Sequence, residues 1–449
     1  MALTPAEIVE EGRRMLALRE EERQRLDLIH CYLRDDPQLT LPGLPRDAPD
    51  DVKRLAKFSR VNLVKYVVAA RVQQMYVDGY QTPVSPDDLE VWQVWQANKM
   101  DARQIGVHRA ALSYGAAYET VLPGTRGPVM RGHSPRDLTA AYGDDDEWPV
   151  LGLLRVREGV YRLIDNTNVY RLQMSGSDSA DVAWIDEGVH GMTWLGQPVC
   201  PIVRFPDTAD LDDPGRGIVQ PLFNLQDQVN VTTFQLLVAQ HYGAFRQRLL
   251  IGWAAASESE AFKAGASVVQ TLDVDPEDVK IHEFAQNDIR MIVESREATV
   301  RHLATVSQTP VHELLGELVN LSAEALEAAR AGANAAAEEN RTVMGEAHEQ
   351  ALNQAAEHLG LEVDESATVQ WRNTRLQSLQ ESISAWTQAV QGLGVPMEEV
   401  WDELPVAQHK VARWKARAEE NNLISGLGSM MGVAGDQPAR EPANAGAPA

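Results

Sequence analysis

His312-Glu313-Leu314-Leu315-Gly316 comes nearest in this sequence to a reactive constellation. On a helix, a histidine followed by glutamate and by a second histidine four residues on sets two imidazoles on one face for zinc, with the glutamate as general base. Gly316 stands where the second imidazole is needed, so the ligand pair is incomplete. Other chemistries fail in the same way. No Gly-x-x-x-x-Gly-Lys-Ser/Thr loop is present to cradle a nucleotide's phosphates, and no Gly-x-Ser-x-Gly elbow to present a nucleophile. Asp273 and Asp275 lack the companions that a two-metal nuclease needs. The run Asp144-Asp145-Asp146-Glu147 has the charge for a divalent cation but not the ligand spacing of a calcium loop, and reads as a solvated turn. Cys31 and Cys200 are far apart and without histidine neighbours, which predicts two buried thiols. These residues point to no catalysis, no metal and no cofactor.

The overall charge narrows the classes further. Lysine and arginine total 41 against 65 acidic residues, a formal charge of −24. A protein that grips duplex DNA neutralises phosphates with a basic face. This balance therefore speaks against tight DNA binding, but not against a surface along which DNA slides. No apolar run reaches the length of a membrane span and the first residues lack a signal-peptide core, so the expectation is a soluble chain made in a cytoplasm, without membrane.

The elements that must position these residues are mainly helical. Thr4-Pro5-Ala6-Glu7 opens a helix by a capping box with proline in the first turn, and the helix should run to Pro37 with Ile8, Met15, Leu18, Leu26, Ile29 and Leu33 inward. A proline-rich connector follows, then an amphipathic stretch over 61–76. A helix starting near Ser85 carries Trp92 and Trp95 on one face, and Asp101 is expected to cap the next, which should stop at Gly115. From there to Phe205 the period falls to two in short runs separated by turns, the pattern of an antiparallel meander. The aspartate-rich loop after it reads as a hinge into a helix over about 221–242, whose polar side is rich in amides, Gln226 and Asn230 among them. That texture suits contact with neighbouring copies. A small mixed unit follows, then a second helix ending at Val306, a broken segment, and an alanine-rich helix from Ser322 to about His358. At ~1.5 Å per residue such a helix is a rod of about 55 Å.

In this order the parts resemble a tailed-bacteriophage portal protein, the head-tail connector ring at the packaging vertex. The resemblance extends from about Val61 to Leu423 and includes ALSYGAAYETV (111–121), GIVQPLFNLQDQVN (217–230), TPVHELLGELVNLSAEALEAA (309–329) and VQWRNTRLQSLQESISAW (369–386). It implies an α+β, mainly helical subunit. A wing would occupy 1–206, a hinge and first stem helix 207–242, a small α/β clip 243–286, a second stem helix 287–307 and a tunnel loop 308–321. A long kinked helix over 322–359, a wing-return strand and crown helices over 360–424, and a disordered tail over 425–449 would complete the chain.

The function so implied is a ring of itself, usually of twelve subunits, at one capsid vertex of the virion, assembled in the host cytoplasm. Double-stranded DNA would pass through its channel, driven in by the terminase large subunit and later ejected. A head-tail adaptor, the major capsid protein and scaffolding protein would be the other partners. Thr309, Pro310, His312, Glu313, Gly316, Glu317 and Asn320 would line the channel, although His312 and the leucines packing against a neighbouring subunit fits equally. Arg246, Arg248, Lys263, Lys280 and His282 would face the motor and adaptor from the clip. Gly332 and Gly345 are the natural kink positions, since each costs about 1 kcal/mol relative to alanine. The basic run Lys410, Arg413, Lys415 and Arg417 would face DNA or scaffold inside the capsid, or simply solvent. The rival readings are another phage head component and a hydrolase whose site is hidden.

Overall fold

The computed structural model describes residues 3–34, 41–82, 89–143, 148–174, 182–209, 215–243, 248–251, 269–272, 289–316, 323–372, 379–394, 400–401, 411 and 413–418. It divides into two compact units, Met1–Arg372 and Asn373–Ala449.

Helix α1, Pro5–Arg34, begins with the expected capping box: Thr4 N donates to the Glu7 carboxylate at 2.7 Å and Glu7 N donates back to Thr4 Oγ1 at 3.4 Å. It lies across a five-stranded antiparallel meander of β4 (Leu138–Tyr142), β5 (Pro149–Arg157), β6 (Val160–Ile164), β7 (Asn168–Met174) and β8 (Val182–Val189). Ile8 and Met15 bury themselves against Leu153, Leu163, Tyr170 and Leu172. Gly12 explains itself here, because a Cβ at that position would come within 2.9 Å of the Leu172 side chain. The opposite face of the sheet packs through Leu138, Leu154 and Ile164 onto Cys200 and Ile202.

The meander expected from Gly115 to Phe205 is two sheets rather than one. β2 (Ala116–Gly124) and β3 (Gly127–His133) pair with the late strand β11 (Ile202–Pro206) in the order β11-β2-β3. Between them, β9 (Thr193–Trp194) and β10 (Gln197–Pro198) form a small hairpin. Local alternation is blind to this exchange, since it reports a strand's faces and not its partner.

The helices between are α2 (Asp50–Phe58), α3 (Leu63–Val72), α4 (Leu89–Ala97) and α5 (Met100–Tyr114). α2 starts on the last two residues of the connector, 37–51, and fills the stretch between it and the next helix. α5 does end at Gly115, whose φ of 95° suits glycine. Asp101 is not its cap: it sits in the first turn, where its carboxylate accepts from Trp95 Nε1 at 2.8 Å. The 61–76 stretch is helical only to Val72, and β1 (Val77–Gln81) then pairs antiparallel with β14 (Thr368–Trp371), the expected return strand. Cys200 is buried, but Cys31 is half-buried, so only one thiol sits as expected.

Two helices, α6 (Phe223–Gly243) and α7 (Ile289–Val306), pack side by side. Between them in sequence the described residues are the short parallel strands β12 (Arg248–Ile251) and β13 (Val269–Leu272). A single-turn helix α8 (Val311–Leu315) leads to the long helix α9, Ala323–His358. Residues 325–332 are exposed or half-buried, whereas 351–356 are all buried, and the helix packs against α4, β2, β3, β9, β11 and β14. Alanine supplies Ala351, Ala355 and Ala356 of that passage, alongside the buried Leu352, Asn353 and Gln354. In the second unit α10, Leu379–Leu393, is helical, and Trp401 meets Trp414 edge-on at 6.4 Å between ring centroids.

Candidate functional site: α6, α7 and the turn between α7 and α9

α7 ends in a tight turn at Ser307-Gln308-Thr309. Gln308 has φ 52°, Thr309 N donates to Ala304 O at 2.9 Å, and Ser307 Oγ donates to Thr309 Oγ1 at 3.0 Å. Thr309 and Pro310 are buried, and Pro310 stands just before α8. His312 is half-buried, and its carbonyl accepts from the amide of Gly316, which closes the turn at φ 69° with open space where a Cβ would be.

Glu313 is held inside the chain. Its carboxylate pairs with Arg330 of α9 at 2.7 Å and accepts from the Tyr66 hydroxyl of α3 at 3.4 Å; only 19% of the side chain is exposed. Burial, and then Glu313, push the Tyr66 hydroxyl above its ordinary pKa. Glu317 and Asn320 lie outside the described residues, as do Arg246, Lys263, Lys280 and His282. Arg248 opens β12. Gly332 and Gly345 both lie within α9, which is helical without a break across them. At Gly345 a Cβ would sit 3.5 Å from Trp371 and Val369, so its absence lets β14 lie close.

Beneath this turn is a buried guanidinium. Arg71 of α3 donates to Ser307 O at 3.2 Å and Asn340 Oδ1 at 3.1 Å, and Asn340 Nδ2 donates to Asp207 O at 2.6 Å. Arg71 and Asn340 together thus tie α3, the end of α7, the middle of α9 and the residue after β11. Desolvation lowers the Arg71 pKa, and Glu339 works against that shift.

The amide-rich side of α6 does not wholly await a neighbour. Gln226 is buried, with Oε1 accepting from the amides of Leu63 and Val64 at 3.0 and 3.3 Å and Nε2 donating to Val61 O at 2.6 Å. Asn230 Oδ1 accepts from Val61 N at 3.1 Å. Gln226 thus satisfies two donors that the start of α3 leaves unmet, while Asn230 holds the residue before the cap, Asn62, whose own side chain accepts from Lys65 N. Tyr32 of α1 anchors the same region, stacking on Phe223 at 4.1 Å and donating to Asp227 at 2.9 Å.

Three glycines join this region to the α5–β2 corner. Gly115, Gly215 and Gly217 all have positive φ, and a Cβ on Gly115 would stand 2.0 Å from Gly215 O. Asp207 N donates to Gly115 O and Ile218 N to Leu112 O. The 111–121 and 217–230 stretches are therefore in direct backbone contact. The expected hinge is fastened at both ends.

Arg330, Tyr66, Arg71 and Asn340 escaped the reading of the sequence. Their partners lie 17 to 269 positions away, and no local period marks such pairs.

A family profile described as "Phage portal protein, SPP1 Gp6-like" matches residues 14–422. Among solved structures the chain is similar to one from the virion of a native gene transfer agent particle, at 16% identity and a TM-score of 0.43, covering 81% of this chain and 96% of that one. It is also similar to an HK97-family phage portal protein from Corynebacterium diphtheriae, at 11% identity and a TM-score of 0.30, covering 72% and 91%. No curated protein matches. The profile defines the class as phage portal proteins. Matched over most of its length, the chain belongs to the SPP1 Gp6-like phage portal protein family.

Proposed function

We propose that the chain forms a closed ring, of about twelve copies by the resemblance, at one vertex of a phage capsid. Double-stranded DNA passes through its channel, inward under a terminase motor and outward into a tail bound through an adaptor. The observation that carries the ring is the unfinished burial of the α6–α7 pair. Met291 is 68% exposed, and Phe234, Leu236, Leu237 and Val238 are only half-buried by their own chain. Apolar surface left open on both helices calls for a repeated neighbour, at about 25 cal/mol per Å² covered.

In this reading the wing, stem, clip, tunnel-loop, long-helix and crown boundaries are those given above, and the clip cations Arg246, Arg248, Lys263, Lys280 and His282 meet the motor and adaptor. The tunnel-loop assignment keeps Thr309 to Asn320, with Glu313 holding the loop to Arg330 and His312 and Gly316 turned to the channel. Negative-stain electron microscopy of the purified protein, classified for rotational symmetry, tests it. Rings with a central pore and about twelvefold symmetry are expected. Uniform compact particles without a pore, at concentrations and with scaffold that allow assembly, would overturn the reading.

A further inference from the structure

The centre of the first unit holds a pair of imidazoles that the channel reading does not use. His108 on α5 and His348 on α9 are both 0% exposed, and their Nε2 atoms are 2.8 Å apart, so one must donate and the other accept. Aromatic rings close around them: Trp95 of α4 and Phe205 of β11 meet His348 edge-on at 5.1 and 4.7 Å, and Trp371 of β14 lies 5.6 Å from His108. His348 Nδ1 has no partner among the described residues.

No charge in the surroundings offsets a proton here. Arg103 of α5 donates to Met130 O and lies beside Glu119 of β2. Asp101 accepts from Trp95, Glu349 of α9 accepts from Val369 N, and Arg372 pairs with Asp78 of β1. Tyr80 of β1 donates to Asn353. The influences on His108 are burial, which pushes it down to about 4, and the Met75 backbone, which opposes the shift. Those on His348 are burial and His108, both downward.

We propose that the His108–His348 contact is an acid-operated latch: neutral, it clamps the C-terminal half of α9 to α5, and protonated, it releases that half-helix before the five-stranded sheet opens. On His348 the added proton must settle on Nδ1, a ring nitrogen with no acceptor among the described residues, inside an aromatic wall that cannot solvate it. A second proton sets two N–H groups against each other across the contact. Both groups are depressed below the ordinary histidine value, so the clamp is complete above about pH 6.5 and is lost as the pH falls toward the depressed values. His133 and His190 are also depressed by burial, but neither lies in the five-stranded sheet, whose strands contain no histidine and serve as an internal reference.

Amide hydrogen exchange of the full chain between pH 7 and pH 4, corrected for intrinsic rates, tests the latch. Protection over 347–356 should fall at least tenfold relative to β5–β7 in the wild type. In a His108→Phe, His348→Leu double variant it should stay level over the same range. Equal losses in both proteins, or simultaneous loss in α9 and the sheet, would refute the latch. Should the double variant not fold, C2–H exchange of the individual histidines in the wild type decides instead. Midpoints below pH 5 at both support the latch, and a midpoint near 6.5 at either refutes it.

Discussion

Glu119 shows how far a single residue can depart from its surface chemistry. It sits on β2 between Gly132 and Val203, fully buried, and neither carboxylate oxygen has a hydrogen-bond partner among the described residues. Burial pushes its pKa up to about 8, with Arg103 opposing. Because the folded value lies above the unfolded one, the penalty is absent below about pH 4.5 and grows as the pH rises toward 8, at about 1.4 kcal/mol per unit. Glu119→Gln is therefore expected to be nearly neutral at pH 4.5 and stabilising by roughly 3 kcal/mol at pH 7. Urea unfolding at the two pH values checks this, and an equal effect at both would mean that the carboxyl is ionised in the folded state. Arg71 presents the opposite case. Arg71→Ala leaves Asn340 Oδ1 and Ser307 O without their buried donor and should cost about 1–3 kcal/mol by the same measurement. Neither residue could be found from sequence. A glutamate amid alternating apolar residues is one of many, and only the strand's position between two others makes it expensive.

Among the elements, the helices were the most legible, because capping chemistry is local: Thr4 with Glu7, and Gly115 at the end of α5, lie where the sequence puts them. What lay hidden were partnerships of long range. The return of β11 to β2, the capping of α3 by Gln226 and the pairing of Glu313 with Arg330 leave no local period. The β9–β10 hairpin is a further example. Its turn is gripped by Glu357 from the end of α9, which accepts from Thr193 Oγ1 at 2.6 Å and from the amides of Leu195 and Gly196 at 2.9 and 3.0 Å. Burial raises this carboxyl's pKa, but the three hydrogen bonds together outweigh it and hold the group below its usual value. The grip is thus present above about pH 4.5 and lost as acid protonates it. Glu357→Ala should free the Leu195 and Gly196 amides to exchange at neutral pH, as the wild type does only in acid; unchanged protection would show that the turn holds itself. The glycine crossing makes a harsher demand. Gly115→Ala combines a left-handed φ with a clash against Gly215 O, and a loss of about 2–5 kcal/mol in thermal unfolding is expected.

For the molecule as a whole, charge and open apolar surface set the behaviour. With a formal charge of −24, the protein should not retard duplex DNA in a gel-shift assay at physiological salt, and tight retention would contradict the proposed channel. Met291→Asp should leave the subunit's circular dichroism unchanged while suppressing rings in negative stain, because it puts a charge on the face that α7 leaves uncovered. The order of parts is legible in the sequence because the chain itself carries that order. The means by which α9 is secured are not, since they depend on Trp95, Phe205 and Trp371 meeting it from three separate elements. That arrangement makes α9 a beam built in at one end. Residues 351–356 are buried, while residues 325–332, beyond the grip of Arg71 on Asn340, are exposed or half-buried and tied down by the Arg330–Glu313 pair. A sideways load near Ala323 would act about 40 Å from the enclosed turns at ~1.5 Å per residue, and the bending moment would be greatest where the helix enters the core. Stiffness at that root, more than anything at the free end, would then decide how far the tip travels under load.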